Sequence, residues 1–180
     1  MTAMSKKPDP DALEILMGIE ELERAMETLD GISLSALAEK RLPADMRGKR
    51  LQIEAEVRLS TANNGMIELY GILLRALSDR ILADAPTDGK RSIAVPPGST
   101  ILEYCAENRY LLGDFLYRMG LSLKRKPEYV LDFLYGRHRI TKEMSDKIEP
   151  KGFFYNLDQL YREDLEAATG LPDAWGATHA

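Results

Sequence analysis

The chain contains few of the residues that build metal centres and disulfide frameworks. Its 180 residues include one cysteine, Cys105, and two histidines, His138 and His179. A single cysteine excludes an intramolecular disulfide, so the sequence fits a reducing, cytoplasmic compartment. The two histidines lie too far apart in the sequence to form a two-histidine metal motif. We therefore predict that the chain carries no metal and no other cofactor.

Long apolar runs and phosphate-binding loops are missing as well. The first residues, MTAMSKKPDPDALEI, contain no apolar run long enough for a signal peptide, and no later stretch is long enough to cross a bilayer. Neither the Gly-x-Gly-x-x-Gly pattern nor the Gly-Lys-Ser/Thr loop occurs. Cys105 has no evident base near it in sequence, which favours a buried structural thiol. The sequence predicts a protein that is not an enzyme and has no membrane association.

Charge is distributed unevenly along the chain, although the formal net charge is only −5. Between residues 8 and 30, one basic residue faces eight acidic ones, a local balance of −7. Between residues 118 and 142, seven basic residues face two acidic ones, a local balance of +5. A net negative chain is a poor general binder of nucleic acid. We expect one region to attract phosphate and another to repel it.

Apolar residues recur at helical spacing along most of the chain. Hydrophobic residues make up 44% and charged residues 29%, as in ordinary globular proteins. The pattern predicts helices over residues 11–29 and 66–81, with a turn at Asn63-Asn64-Gly65 before the second of them. We predict an all-α (mainly α) protein in three parts. These are an acidic helical module for oligomerisation or partner binding at 1–85, a linker at 86–95 and a second domain at 96–180.

Two short helices with a basic link are predicted between residues 110 and 141. In the first, Leu112, Phe115, Leu116 and Met119 recur every three or four residues, and Gly120 suits a helix end. The second has Pro127 at a favourable first position and ends at Gly136. Its apolar stripe consists of Val130, Phe133 and Leu134. Two short helices joined by a turn are the arrangement of a DNA-binding helix-turn-helix.

The same residues resemble a known family. Leu116, the run Met119-Gly120-Leu121-Ser122, the apolar stripe of the second helix and the run Gly136-Arg137-His138-Arg139-Ile140-Thr141 look like the XRE/Cro-type repressor-like helix-turn-helix family. The lead-in at 97–102 resembles the HigA-type antitoxin branch, and residues 165–172 resemble the family's later helix and turn. The resemblance covers the C-terminal half. A longer link at 121–126 and an insertion at 142–157 depart from the family pattern.

The resemblance implies a transcriptional regulator, a repressor or an antitoxin, that binds a double-stranded DNA operator. One helix-turn-helix contacts only a short half-site, so a homodimer is the expected form. The acidic N-terminal half is then free to bind a toxin or another protein. Basic clusters lie on both sides of the second helix, where they would meet DNA phosphates. The residues predicted to contact DNA are Lys124, Arg125, Lys126, Glu128, Tyr129, Asp132, Arg137, His138, Arg139 and Lys142.

Two carboxylates on the outer face of the second helix support an alternative. Glu128 and Asp132 would repel DNA phosphates, although a carboxylate can also accept a hydrogen bond from a cytosine amino group. The sequence leaves open a protein-binding adaptor or inhibitor with a degenerate helix-turn-helix that no longer binds DNA. The aromatic run Phe153-Phe154-Tyr155 is interpreted as an anchor to the core rather than as a base-stacking platform.

Overall fold

A computed structural model describes residues 9–30, 49–85 and 94–170 of the chain. These residues form seven α-helices and no strand, which confirms the predicted all-α class. The helices are α1 (Pro10–Asp30), α2 (Lys49–Ala83), α3 (Pro97–Asn108), α4 (Leu112–Arg118), α5 (Pro127–Leu134), α6 (Lys142–Ser145) and α7 (Phe153–Thr169). None of these helices has the length and apolar composition needed to span a bilayer.

Helix α2 packs against α1 and against α3, and both α1 and α3 pack against α5. One face of α1 and one face of α2 are buried, with Ile19, Leu74, Leu77 and Ile81 fully inaccessible to solvent. Leu69, which the apolar spacing also places on that face of α2, is 48% exposed. The inaccessible residues belong to the same core as Phe133 of α5. Residues on both sides of the predicted linker therefore share one hydrophobic core. The boundaries at 85 and 96 remain predictions, because residues 86–93 lie outside the described ranges.

The turn predicted at Asn63-Asn64-Gly65 is wrong. Helix α2 runs through these residues without a break. Two asparagines and a glycine weaken a helix by roughly 2 kcal/mol in total relative to alanine. The long helical stretches on both sides, one of which is anchored by the buried Tyr70 and Leu74, offset that penalty.

The insertion predicted at 142–157 is part of the helical fold. Thr141 caps α6, because its Oγ1 accepts a hydrogen bond from the Met144 N–H at 3.2 Å. Helix α7 then begins at Phe153 and ends at Thr169. It therefore starts before residues 165–172, the segment that resembles the later helix and turn of the family. Phe154 is fully buried, with its ring centroid 5.2 Å from that of Phe115 in α4 and 5.8 Å from that of Tyr104 in α3. The interpretation of this aromatic run as a core anchor is thus confirmed for Phe154.

Candidate nucleic-acid interface

Helices α4 and α5 form the pair of short helices that the sequence predicted. Helix α4 ends near Gly120, which has a φ of 88° that favours glycine. Pro127 opens α5, and Val130, Leu131, Phe133 and Leu134 turn one face of that helix into the core. The connection at 119–126 exceeds the usual three or four residues of a helix-turn-helix turn. It brings Lys124, Arg125 and Lys126 to the surface beside the start of α5.

The start of α4 is held by two residues of the N-terminal helices. The Leu112 N–H donates to Tyr70 Oη at 2.6 Å, and the Gly113 N–H donates to Glu23 Oε1 at 2.9 Å. Tyr70 in turn donates its hydroxyl hydrogen to Glu23 Oε1 at 2.5 Å. A Cβ on residue 113 would overlap the Glu23 carboxylate, so glycine is needed there for this close approach. Helices α1 and α2 thereby position the first helix of the pair.

Sequence reasoning missed Glu23 and Tyr70, although one signal for Glu23 was present. The carboxylate occupies a place in the apolar stripe of α1, between Ile19 and Met26, and is 7% exposed. A charged residue at a core-facing helical position requires a specific partner. That partner is the N-terminus of α4, whose free N–H groups favour an anion.

Burial raises the pKa of Glu23 above its ordinary value, although the hydrogen bonds from Tyr70 and Gly113 oppose the shift. A carboxyl group with a raised folded-state pKa stabilises the fold most fully at pH values below its unfolded-state pKa. It loses that contribution as pH rises through the folded-state pKa. We expect Glu23→Gln to remove this fall in stability, which begins near pH 4, where an unfolded glutamate ionises, and continues as the pH rises through the folded-state pKa of Glu23. Urea unfolding across that range measures it, with Glu103→Gln on the surface of α3 as control. Equal pH dependence in the native and Glu23→Gln proteins would contradict the prediction.

The exposed face of α5 carries Glu128 and Tyr129. The Tyr129 ring, 42% exposed, stacks on the His138 ring with centroids 4.2 Å apart and an interplanar angle of 23°. Because His138 follows the end of α5, this stacking brings the segment 137–139 back alongside the helix. The second basic cluster therefore lies beside the face that α5 presents to solvent.

Asp132 and Arg137 form an ion pair across the end of α5. The Arg137 guanidinium also lies over the Tyr135 ring, 5.1 Å from its centroid, and its side chain is only 17% exposed. This ion pair neutralises one of the two carboxylates that argued against DNA. It also gives Arg137, which was predicted to contact phosphate, a structural role in fixing the exit from α5. Its contact with DNA stays a prediction.

The remaining predicted residues differ in their surroundings. Lys124 Nζ lies 3.7 Å from the Glu27 carboxylate of α1, an exposed pair of small energetic weight. Arg125, Lys126, Arg139 and Lys142 are exposed, and so is Glu128. Arg139 lies close enough to the buried Asp158 to lower that residue's pKa, against the larger effect of burial, which raises it.

Hydrogen bonds from α7 hold the segment at 138–140, which follows α5. Arg162 Nη2 donates to the His138 carbonyl at 3.2 Å and to Asp158 Oδ1 at 3.2 Å. Asp158 also accepts a hydrogen bond from the Ile140 N–H. Both side chains are buried, Asp158 completely. Sequence reasoning missed this pair, which positions the backbone on either side of Arg139.

The described residues show no arrangement suited to metal or thiol chemistry. Across 9–30, 49–85 and 94–170, no three His, Cys, Asp or Glu side chains group as metal ligands. Cys105 is fully buried, as predicted, and burial raises the pKa of its thiol to about 12. Comparison of the chain with protein-family models, with characterised proteins and with solved structures finds no match.

Proposed function

We propose that the chain is a sequence-specific DNA-binding regulator of the repressor or antitoxin type, with α5 as the helix that enters the major groove. The observation that carries the proposal is the placing of two basic clusters beside the exposed face of one short helix. Lys124, Arg125 and Lys126 precede that face, and the Tyr129–His138 stack holds residues 137–139 along it. Cations at both ends of a groove-reading helix suit the phosphates that border a major groove.

A homodimer is the proposed working form, because a single helix pair contacts only one half-site. The buried faces of α1 and α2 pack within the core of the same chain and so do not form the dimer contact. A second apolar stripe on α2 remains exposed, with Leu69 at 48% and Ile72 at 58% of their full accessibility. These two residues, one helical turn apart, are the surface that we assign to the second copy. The protein-to-DNA stoichiometry at saturation reports the dimer directly.

Neutralising the basic clusters should weaken binding to all DNA sequences alike. Arg125→Gln and Lys126→Gln remove exposed cations for which the described residues supply no ion-pair partner. Each variant should lower the slope of log affinity against log salt by about one unit for each phosphate that the protein no longer neutralises. The measurement is a salt-titrated binding assay on double-stranded DNA from directly upstream of the protein's own coding sequence.

The matched control for this assay is Arg75→Gln on α2, which removes an exposed cation away from α5. Its salt slope should equal that of the native protein. Arg137 is left out of the series, because its replacement would also release Asp132. Slopes unchanged in both test variants would remove this surface from the DNA interface. No binding of the native protein at low salt would overturn the proposed function.

The second candidate function is a protein-binding adaptor or inhibitor, which the exposed carboxylate of Glu128 on α5 favours. Glu128→Gln tests the two functions against each other, because Asp132 is already paired. A DNA reader should bind random DNA more tightly and discriminate less well for its operator, since phosphate repulsion falls together with base readout. An adaptor should bind no DNA in either form and should retain less of a basic partner that co-purifies with it. Glu163→Gln, an exposed acid on α7, is the control.

A further inference from the structure

A cavity of about 250 Å³ lies between the last turns of α1, the middle of α2 and the end of α3. Met26, Ile67, Tyr70, Ala106 and Leu111 give it mainly apolar walls. Cys105 also contributes, and with a pKa raised to about 12 its thiol stays neutral and behaves as a small apolar group. We propose that this cavity binds a small organic acid with an apolar body and one carboxylate.

The size of the cavity limits the apolar body of the ligand. A dry apolar cavity of roughly 150 Å³ accommodates a benzene molecule, whereas drug-sized ligands occupy roughly 300 Å³ or more. A volume of about 250 Å³ therefore suits one ring with a short substituent, or a short alkyl chain. Gly71 of α2 lines the same space, and a Cβ there would meet no atom within 4 Å. The missing side chain leaves room for a ligand.

The charges at the rim select the head group. Among the described residues, the charged ones that line the cavity are Glu27 and Arg109, and the Glu27 carboxylate lies 3.7 Å from Lys124 Nζ. Arg109 is exposed and has no ion-pair partner among the described residues. Arg109 also has a φ of 53° at the C-cap of α3, a place where glycine is usual, so its side chain is present at some conformational cost. A guanidinium at the rim of an apolar cavity pairs best with a carboxylate, through two parallel hydrogen bonds.

The cavity adjoins the support of α4. Tyr70 and Leu111 both line it. The Tyr70 hydroxyl oxygen accepts a hydrogen bond from the Leu112 N–H, and Leu111 is the N-cap residue of α4. A ligand that contacts both residues favours one position of α4 over others. This coupling rests on the proposed DNA binding, in which α4 is the first helix of the pair and α5 is the helix that enters the major groove. Occupancy of the cavity itself does not depend on DNA.

The test uses the full-length chain with phenylacetate and hexanoate as probes and benzyl alcohol as their neutral counterpart. Isothermal titration and amide chemical shifts should show one site, with the largest shifts near Tyr70, Cys105 and Leu111. Gly71→Leu, which fills the cavity, should abolish binding, as should Ala106→Met on the part of the wall that α3 contributes. Gly65→Leu is the matched control, because Gly65 lies on the same helix in an exposed position with no atom within 4 Å of a Cβ.

Arg109→Gln tests the head group. The variant should bind phenylacetate and hexanoate about tenfold or more weakly than the native protein, the reduction expected for loss of a charge-assisted pair. Its affinity for benzyl alcohol should be unchanged. Absence of binding by both acids, or binding that survives both cavity-filling variants, would overturn the proposal. Phenylacetate binding by a chain that binds no DNA would support the cavity and overturn the proposed function. An operator affinity unchanged by saturating phenylacetate would overturn the coupling.

Discussion

Replacing Gly98 with alanine is expected to lower the free energy of unfolding by about 3 kcal/mol, at the upper end of ordinary overpacking penalties. Gly98 lies in the first turn of α3 and is buried against the C-terminal end of α5. A Cβ at this position would overlap the carbonyl oxygen and Cα of Leu134. Since backbone atoms cannot rotate away as a flexible side chain can, α3 and α5 would have to separate.

Thermal unfolding measures this effect, with a fall in Tm of about 10 °C expected for a domain of this size. Gly65→Ala is the control, because a Cβ there meets nothing within 4 Å. That change should raise stability by about 0.5 to 1 kcal/mol through helix propensity. The displaced α5 should also weaken operator binding when measured well below the new Tm. A Gly98→Ala protein as stable as the native chain would show that α3 and α5 do not pack this closely in solution.

Apolar periodicity was sufficient to predict α1 and the α4–α5 pair. In each case one face of the helix is buried by neighbours, so the spacing of its apolar residues records its packing directly. Helix α1 is found at Pro10–Asp30, where residues 11–29 were expected. The signals Pro127 and Gly136 mark the start and end of α5, because each acts through its own backbone geometry. Such local signals need no knowledge of distant residues.

Contacts between distant residues could not be predicted in the same way. Glu23 and Gly113 are separated by half of the chain, yet the carboxylate binds the N–H of that glycine. Sequence spacing indicates that Glu23 falls on an apolar stripe but does not identify its partner. The turn predicted at Asn63-Asn64-Gly65 failed for a related reason, because local propensities were weighed without the packing of α2 on α1 and α3. Long-range packing outweighs local preferences of about 1 kcal/mol per residue.

In the candidate interface, too, the sequence predicts local features but not the contacts between distant residues. The exposed cations of the interface are evident from composition, whereas the groups that position them are not. The Tyr129–His138 stack, the Asp132–Arg137 pair and the buried residues of α7 together fix the segment that follows α5. An interface built in this way loses its geometry when a buried support is removed, even if every exposed cation remains. This separates residues that would contact DNA from residues that hold them in place.

Arg162→Met is expected to lower the free energy of unfolding by about 3 to 5 kcal/mol, because it leaves a buried carboxylate without its cation. Arg162 is 7% exposed and Asp158 is fully buried, so water cannot take the place of the guanidinium without local opening. Burial already raises the pKa of Asp158 above its ordinary value, and Arg162 is the main opposing influence. Removal of the arginine should raise that pKa further. Urea unfolding at neutral pH measures the decrease in stability.

The double variant Asp158→Asn with Arg162→Met separates stability from positioning. Asparagine still offers an oxygen to the Ile140 N–H but carries no charge, so most of the stability should return. The donor to the His138 carbonyl is absent in both variants, so the segment beside α5 stays unsupported. We therefore expect the double variant to be stable and yet to bind operator DNA more weakly and with a shallower salt slope than the native protein. Native DNA affinity in a stable double variant would show that Arg162 contributes to folding alone, and that residues 137–139 keep their place through the Tyr129–His138 stack.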